Sequence, residues 1–125
     1  MKTSAVDVVD RQLDAYNARD LERFAATYSA DVSIYRMPSL QPAIQGQQQL
    51  RETYRQRFAS PSLHAEILSR IVMGNKVIDH ERVTGIRDTP LEALAVYEVE
   101  GGLIRTVWFF YPAEAFPSGP ERSSS

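Results

Sequence analysis

LHAEILSRIVMGNKVIDHERVTG, residues 63–85, sets two runs rich in β-branched residues on either side of Gly74-Asn75. Gly-Asn between such runs is a hairpin signal. The stretch predicts an antiparallel pair, Leu63 to Met73 and Lys76 to Thr84. Strand side chains alternate faces with a period of two. In the second strand, Asp79 and Glu81 share a face with Val77 and Val83. His80 and Arg82 share the other with Ile78 and Thr84. Neither face is cleanly apolar or cleanly polar. What lies against those carboxylates is the functional question the sequence poses.

Downstream, Arg87 to Pro90 reads as a loop. Leu91 to Glu100 and Leu103 to Tyr111 read as two further strands joined at Gly101-Gly102. Upstream the period changes. Ser4 opens a Ser-x-x-Asp helix start, and Val6, Val9, Leu13 and Tyr16 then recur at helical spacing. Asn17 to Asp20 is a break, with Asp20 as the N-cap of a second stripe, Leu21, Phe24, Ala25 and Tyr28. Val32 to Tyr35 reads as a short strand and Met37 to Gly46 as a loop. Leu50, Tyr54 and Phe58 mark a third helix, ended before Pro61. Helices followed by an antiparallel meander define an α+β fold. A long curved sheet wrapping the helices leaves a cavity between the two layers. Residues 1–111 form one domain, and 112–125 a poorly packed tail.

The chain has 125 residues, 43% of them hydrophobic, and a net charge of −2. That suits one domain with a real core. No Lys/Arg block points to nucleic acid, and no apolar run approaches a membrane span. The acids near the N-terminus are unlike a signal peptide. There is no cysteine, so no disulfide or thiolate chemistry. A cytoplasmic protein is expected. His64 and His80 are the only histidines, without a ligand cluster, so no metal is expected. No phosphate loop, nucleophile elbow or dinucleotide fingerprint is present, so no cofactor is expected.

AYNARDLERFAATYSADVSIY at 15–35, IQG at 44–46 and EVEGGLIRTVWFF at 98–110 resemble, in order and spacing, the nuclear transport factor 2-like superfamily. Within it the chain is similar to the SnoaL-like and ketosteroid isomerase-like branch. The resemblance implies a cone: three helices close one side of a curved antiparallel sheet around a pocket. It also implies homodimers through the outer sheet face. Alignment to the isomerase pattern puts Asp79, Glu81 and Val83 toward the pocket, and His80 and Arg82 outward. The isomerase mechanism needs a carboxylate base, a tyrosine and a protonated aspartic acid. The alignment places Arg36 or Met37, Gln12 and Ala95 at those positions, so that chemistry is not expected.

Two other branches supply different sets. The limonene-epoxide-hydrolase type uses Asp-Arg-Asp, for which Arg36, Asp79 and Glu81 offer similar charges. The scytalone-dehydratase type uses a histidine with an acid, for which His64 with Glu81 or Asp79 offers the same chemical types. The alignment puts His64 on pocket parity. Glu81, Asp79 and His64 are therefore the candidate acid/base groups. Gln12, Tyr16, Tyr35, Arg36, Tyr54, Tyr97 and Arg105 are the candidate substrate-binding groups, because ringed hydroxyls suit a flat apolar ligand and arginines an anionic group. Arg105 is expected first as an ion-pair partner of Glu81 or Asp79, a place that Arg70 or Arg82 could equally take. Trp108 and Phe110, on the opposite parity, suit an outer-face contact with a second copy or with the tail around Phe116.

Two functions remain open at this level. One is a cofactor-free isomerase, dehydratase or hydrolase for a small hydrophobic molecule. The other is a non-catalytic ligand-binding or dimerisation module. The placement of Glu81 discriminates: a cavity wall without an arginine favours the enzyme, and a salt bridge to Arg105 or open water favours the module.

Overall fold

A computed structural model describes residues 4–113. The elements in chain order are α1 (Ala5–Asn17), α2 (Leu21–Ala25), β1 (Tyr28–Arg36), β2 (Ile44–Gln45), α3 (Gly46–Arg57), β3 (His64–Met73), β4 (Lys76–Thr84), β5 (Leu91–Glu100) and β6 (Leu103–Phe110). The expected helix starts are built as the sequence suggested. The Ser4 hydroxyl accepts from the Asp7 N–H, and the Asp20 carboxylate from the Arg23 N–H, both at 3.1 Å.

The six strands form one sheet in the order β2-β1-β6-β5-β4-β3. β3 to β6 are the expected antiparallel meander. The sheet as a whole is mixed, because β1 pairs with β6 in parallel. This corrects the all-antiparallel expectation. β1 is also longer than the Val32–Tyr35 run, since Tyr28 opens the strand and does not close a helical stripe. The architecture is α+β, three helices on a six-stranded sheet. The tail around Phe116 lies outside the described residues.

Phe24 centres the helix–sheet interface. Its ring lies 4.6 Å from Tyr54, 4.9 Å from Tyr28 and 5.2 Å from Phe58, centroid to centroid. One aromatic cluster thus ties α2, α3 and β1 together, with most of its area removed from water. α1 is locked to β3 by Asn17. Its amide accepts from the Ala65 N–H at 2.8 Å and donates to the Ala65 carbonyl at 3.1 Å.

Two β-bulges set which side chains face the helices. In β3 the register shifts between Ile67 and Ser69, so Arg70, and not Ser69, stands on the concave face opposite Asp79. In β6, Val99 pairs with Ile104 but Glu98 with Thr106, which leaves Arg105 as the extra residue. Ile104 and Val107 are both buried, whereas Arg105 is exposed.

Candidate functional site

The concave face carries rows of cross-strand neighbours. Val77 pairs with Tyr97, Asp79 with Ala95, Glu81 with Ala93, and Val83 with Leu91. Both carboxylates therefore face an alanine. Small side chains opposite large polar ones leave room, and Tyr97 reaches past them to donate its hydroxyl to Glu81 Oε2 at 3.2 Å.

The resulting cavity is small, about 40 Å³. Gln12, Tyr28, Glu81 and Tyr97 are buried in its wall, and Leu13, Ala65, Val83, Ala93 and Phe109 supply apolar surface. The mouth lies at the end of the sheet where β1, β4 and β6 finish and β5 begins. Arg36, Arg57, Ile86 and Tyr111 stand there, all at least partly exposed. Gly85 holds this rim. At φ +92° it lies against the Leu63 backbone, where a Cβ would come within 2.6 Å. Its carbonyl accepts from the Ser60 hydroxyl at 2.7 Å.

The neighbouring carboxylates have opposite circumstances. Asp79, only 1% exposed, is clasped by Arg70 through two hydrogen bonds, Nε to Oδ1 at 2.6 Å and Nη2 to Oδ2 at 2.9 Å. Arg70 also reaches Asp10 on α1 at 2.7 Å. That triad joins α1, β3 and β4, and Asp79 does not line the cavity. Glu81 is buried against the cavity and takes part in none of the ion pairs among the described residues. Its pKa is raised to about 7, first by loss of hydration and then by the Asp79 charge, with the Tyr97 hydrogen bond opposing.

The other polar groups form pairs. Gln12 hydrogen-bonds the Tyr28 hydroxyl at the buried end. Arg57 hydrogen-bonds Tyr16 and lies 5.4 Å from the Tyr54 ring centroid. Arg36 hydrogen-bonds Tyr111.

Of the candidates read from the sequence, Glu81, Gln12, Tyr16, Arg36, Tyr54 and Tyr97 line one cavity. Four do not. His64 is exposed at the start of β3, and Ala65 takes the inward position opposite Val83. The inward parity of β3 therefore differs by one residue from the alignment, and His64 is not brought together with either acid. Tyr35 is on the outer face, stacked on Trp108 with ring centroids 6.4 Å apart. Arg105, displaced by the β6 bulge, bonds the exposed Glu100 and neither Asp79 nor Glu81. Asp79 belongs to the Arg70 triad, so an Arg36–Asp79–Glu81 set does not form. Sequence reasoning missed Tyr28, Arg57 and Phe109 as members of the cavity wall. Arg57 follows Tyr54 by three residues on α3, a helical neighbour spacing that places it beside a known candidate.

The fold thus carries a cavity with a buried carboxyl group in its wall and two arginines at its mouth. Residues 9–107 match the SnoaL-like domain, and the chain belongs to that family. The structure of an uncharacterized cystatin-fold protein from Novosphingobium aromaticivorans is similar, at 26% identity and a TM-score of 0.78. That match covers 86% of this chain and 98% of the other. An NTF2-like protein of unknown function from Cytophaga hutchinsonii shares 11% identity with a TM-score of 0.75, over 91% of this chain and 95% of its own. An M. tuberculosis LEH-like epoxide hydrolase shares 16% with a TM-score of 0.73, over 89% and 84%. None of the curated proteins compared matches the sequence. No helix among the described residues is long and apolar enough to cross a membrane.

Proposed function

We propose that the chain is a cofactor-independent acid/base enzyme that transfers a proton on a small, largely apolar molecule, with Glu81 as the proton-transfer group. One observation carries this reading. Of two buried carboxylates two residues apart, Asp79 is fully compensated by arginine, and Glu81 is left facing the cavity with only a tyrosine hydroxyl. A carboxyl group with a pKa near 7 exchanges protons in both directions at neutral pH, which is the condition for general acid/base work. Gln12 and Tyr28 offer polar contacts at the buried end, and Leu13 and Phe109 an apolar bed.

The experiment is deuterium uptake from solvent into a panel of small ketones and β,γ-unsaturated ketones, followed by mass spectrometry. Glu81→Gln is expected to lose at least about a hundredfold in exchange rate. Exchange that is equal in wild type and Glu81→Gln would refute the role of Glu81.

A second reading, a ligand-binding module, is favoured by the residues at the isomerase positions. On the family alignment Gln12, Arg36 or Met37, and Ala95 stand where the isomerases carry the tyrosine, base and neutral acid; Gln12 and Arg36 line the cavity and Ala95 is buried. Panel compounds that bind without exchanging would select this reading.

The outer face supports a homodimer in either case. Tyr35, Trp108, Val96, Ile78 and Ile71 are successive cross-strand partners, an apolar row across five strands. Ile78→Glu at its centre should shift the sedimentation coefficient from dimer to monomer. A wild-type protein that sediments as a monomer would exclude this pairing.

A further inference from the structure

The acid/base role of Glu81 leaves the two arginines at the mouth without a task. Arg36 ends β1 and Arg57 ends α3, and the fold brings both to the rim of the same cavity. Their hydrogen-bond partners are neutral, the hydroxyls of Tyr111 and Tyr16. Neither belongs to an ion pair among the described residues, a state they share with Arg11, Arg19 and Arg55, but of these only Arg36 and Arg57 line the cavity. The two guanidinium groups also act on common neighbours. Both oppose the effect of burial on the Tyr111 and Tyr54 hydroxyls, so both charges are felt at one place. Arg57 lies 5.4 Å from the Tyr54 ring centroid, a contact that restrains it. Two positive charges on one rim repel each other, and an anion between them relieves that repulsion. Glu81 forms no salt bridge with either, and protonation near neutral pH weakens it further as their counter-charge.

The geometry points to a small organic acid as the ligand, with its carboxylate held between Arg36 and Arg57 and its apolar body directed inward along Leu13 and Phe109 toward Glu81. This rests on the reading of the cavity as the working site. Guanidinium groups suit a planar carboxylate, because their N–H forks match its two oxygens. The apolar wall below the rim suits an alkyl or aryl body and excludes a strongly hydrated one.

The test is calorimetric titration of the full chain with hexanoate, decanoate, phenylacetate and 4-phenylbutanoate, each beside its primary amide. At least one acid should bind about tenfold or more tightly than its amide. That preference should fall in Arg36→Met and in Arg57→Met, shrink as salt rises, and persist in Glu81→Gln. Arg36 is on an exposed strand end, so its variant keeps the test decisive if Arg57→Met fails to fold. Acids that bind no better than their amides overturn the inference, as does a preference that survives both arginine substitutions. The two claims fail separately. Glu81-dependent exchange on neutral ketones, with no acid preference, removes only the anion docking. Acid binding through the arginines, with exchange indifferent to Glu81→Gln, removes only the acid/base role.

Discussion

Replacing Glu81 with glutamine should stabilise the protein, and by an amount that depends on pH. The carboxyl group titrates near 4.5 when hydrated and near 7 in the fold. Between those values the native state holds a proton that the unfolded chain has released. Stability therefore falls as pH rises through that window, and the full cost is present above about pH 7. Moving a pKa by one pH unit takes about 1.36 kcal/mol, so the ionised native protein carries a penalty of about 3 kcal/mol. Glutamine keeps the shape and an acceptor for the Tyr97 hydroxyl but cannot ionise. The variant should match wild type near pH 4.5 and exceed it by about 3 kcal/mol at pH 8. For a domain of this size that is a Tm difference of about 10 °C. Thermal unfolding of both proteins, followed by circular dichroism at pH 5, 6, 7 and 8, reads the gap directly. Contributions from other titrating groups cancel in the difference. A gap that stays constant across the range would refute the claim that Glu81 is ionised at a cost.

Further outcomes follow from the same geometry. Arg70→Met leaves the Asp79 carboxylate buried without its partner and should cost about 3–5 kcal/mol in urea unfolding; Asp79→Asn in the same chain should recover much of it. Arg105→Ala, by contrast, removes only an exposed pair with Glu100 and should leave the urea unfolding midpoint unchanged. Gly85→Ala should cost more than about 1 kcal/mol, because φ is +92° and its Cβ would meet the Leu63 backbone. Tyr97→Phe removes the hydrogen bond that lowers the Glu81 pKa, so the stability transition of that variant should move to higher pH.

The fold was largely legible because period and punctuation agreed. Gly74-Asn75 and Gly101-Gly102 mark hairpin turns, and Ser4 and Asp20 cap the helices they were expected to start. β4 has no bulge, so period-two counting kept Asp79, Glu81 and Val83 on one face and His80 and Arg82 on the other, and the family resemblance turned the first face inward, where it is buried. Where counting crossed a bulge it failed. Arg105 is the extra residue of β6, and nothing in LIRTV announces that. The same device in β3 turned Arg70 toward Asp79, whereas unbroken alternation from the inward Ala65 would have put it on the other face. The His64 error is an alignment slip of one residue, which in a strand reverses the face. The parallel pairing of β1 with β6 was hidden for another reason. It joins distant segments, and no local pattern encodes the partner of a strand. The cavity itself depends on that pairing, because it brings Arg36 and Phe109 into register.

The most direct test of the central claim is a carboxyl carbon-13 NMR titration of Glu81, assigned by the signal that disappears in Glu81→Gln. The account predicts a midpoint near pH 7. A midpoint in the ordinary glutamate range, about 4.3, would contradict it, because the cavity would then hold a solvated carboxylate with no special capacity for proton transfer.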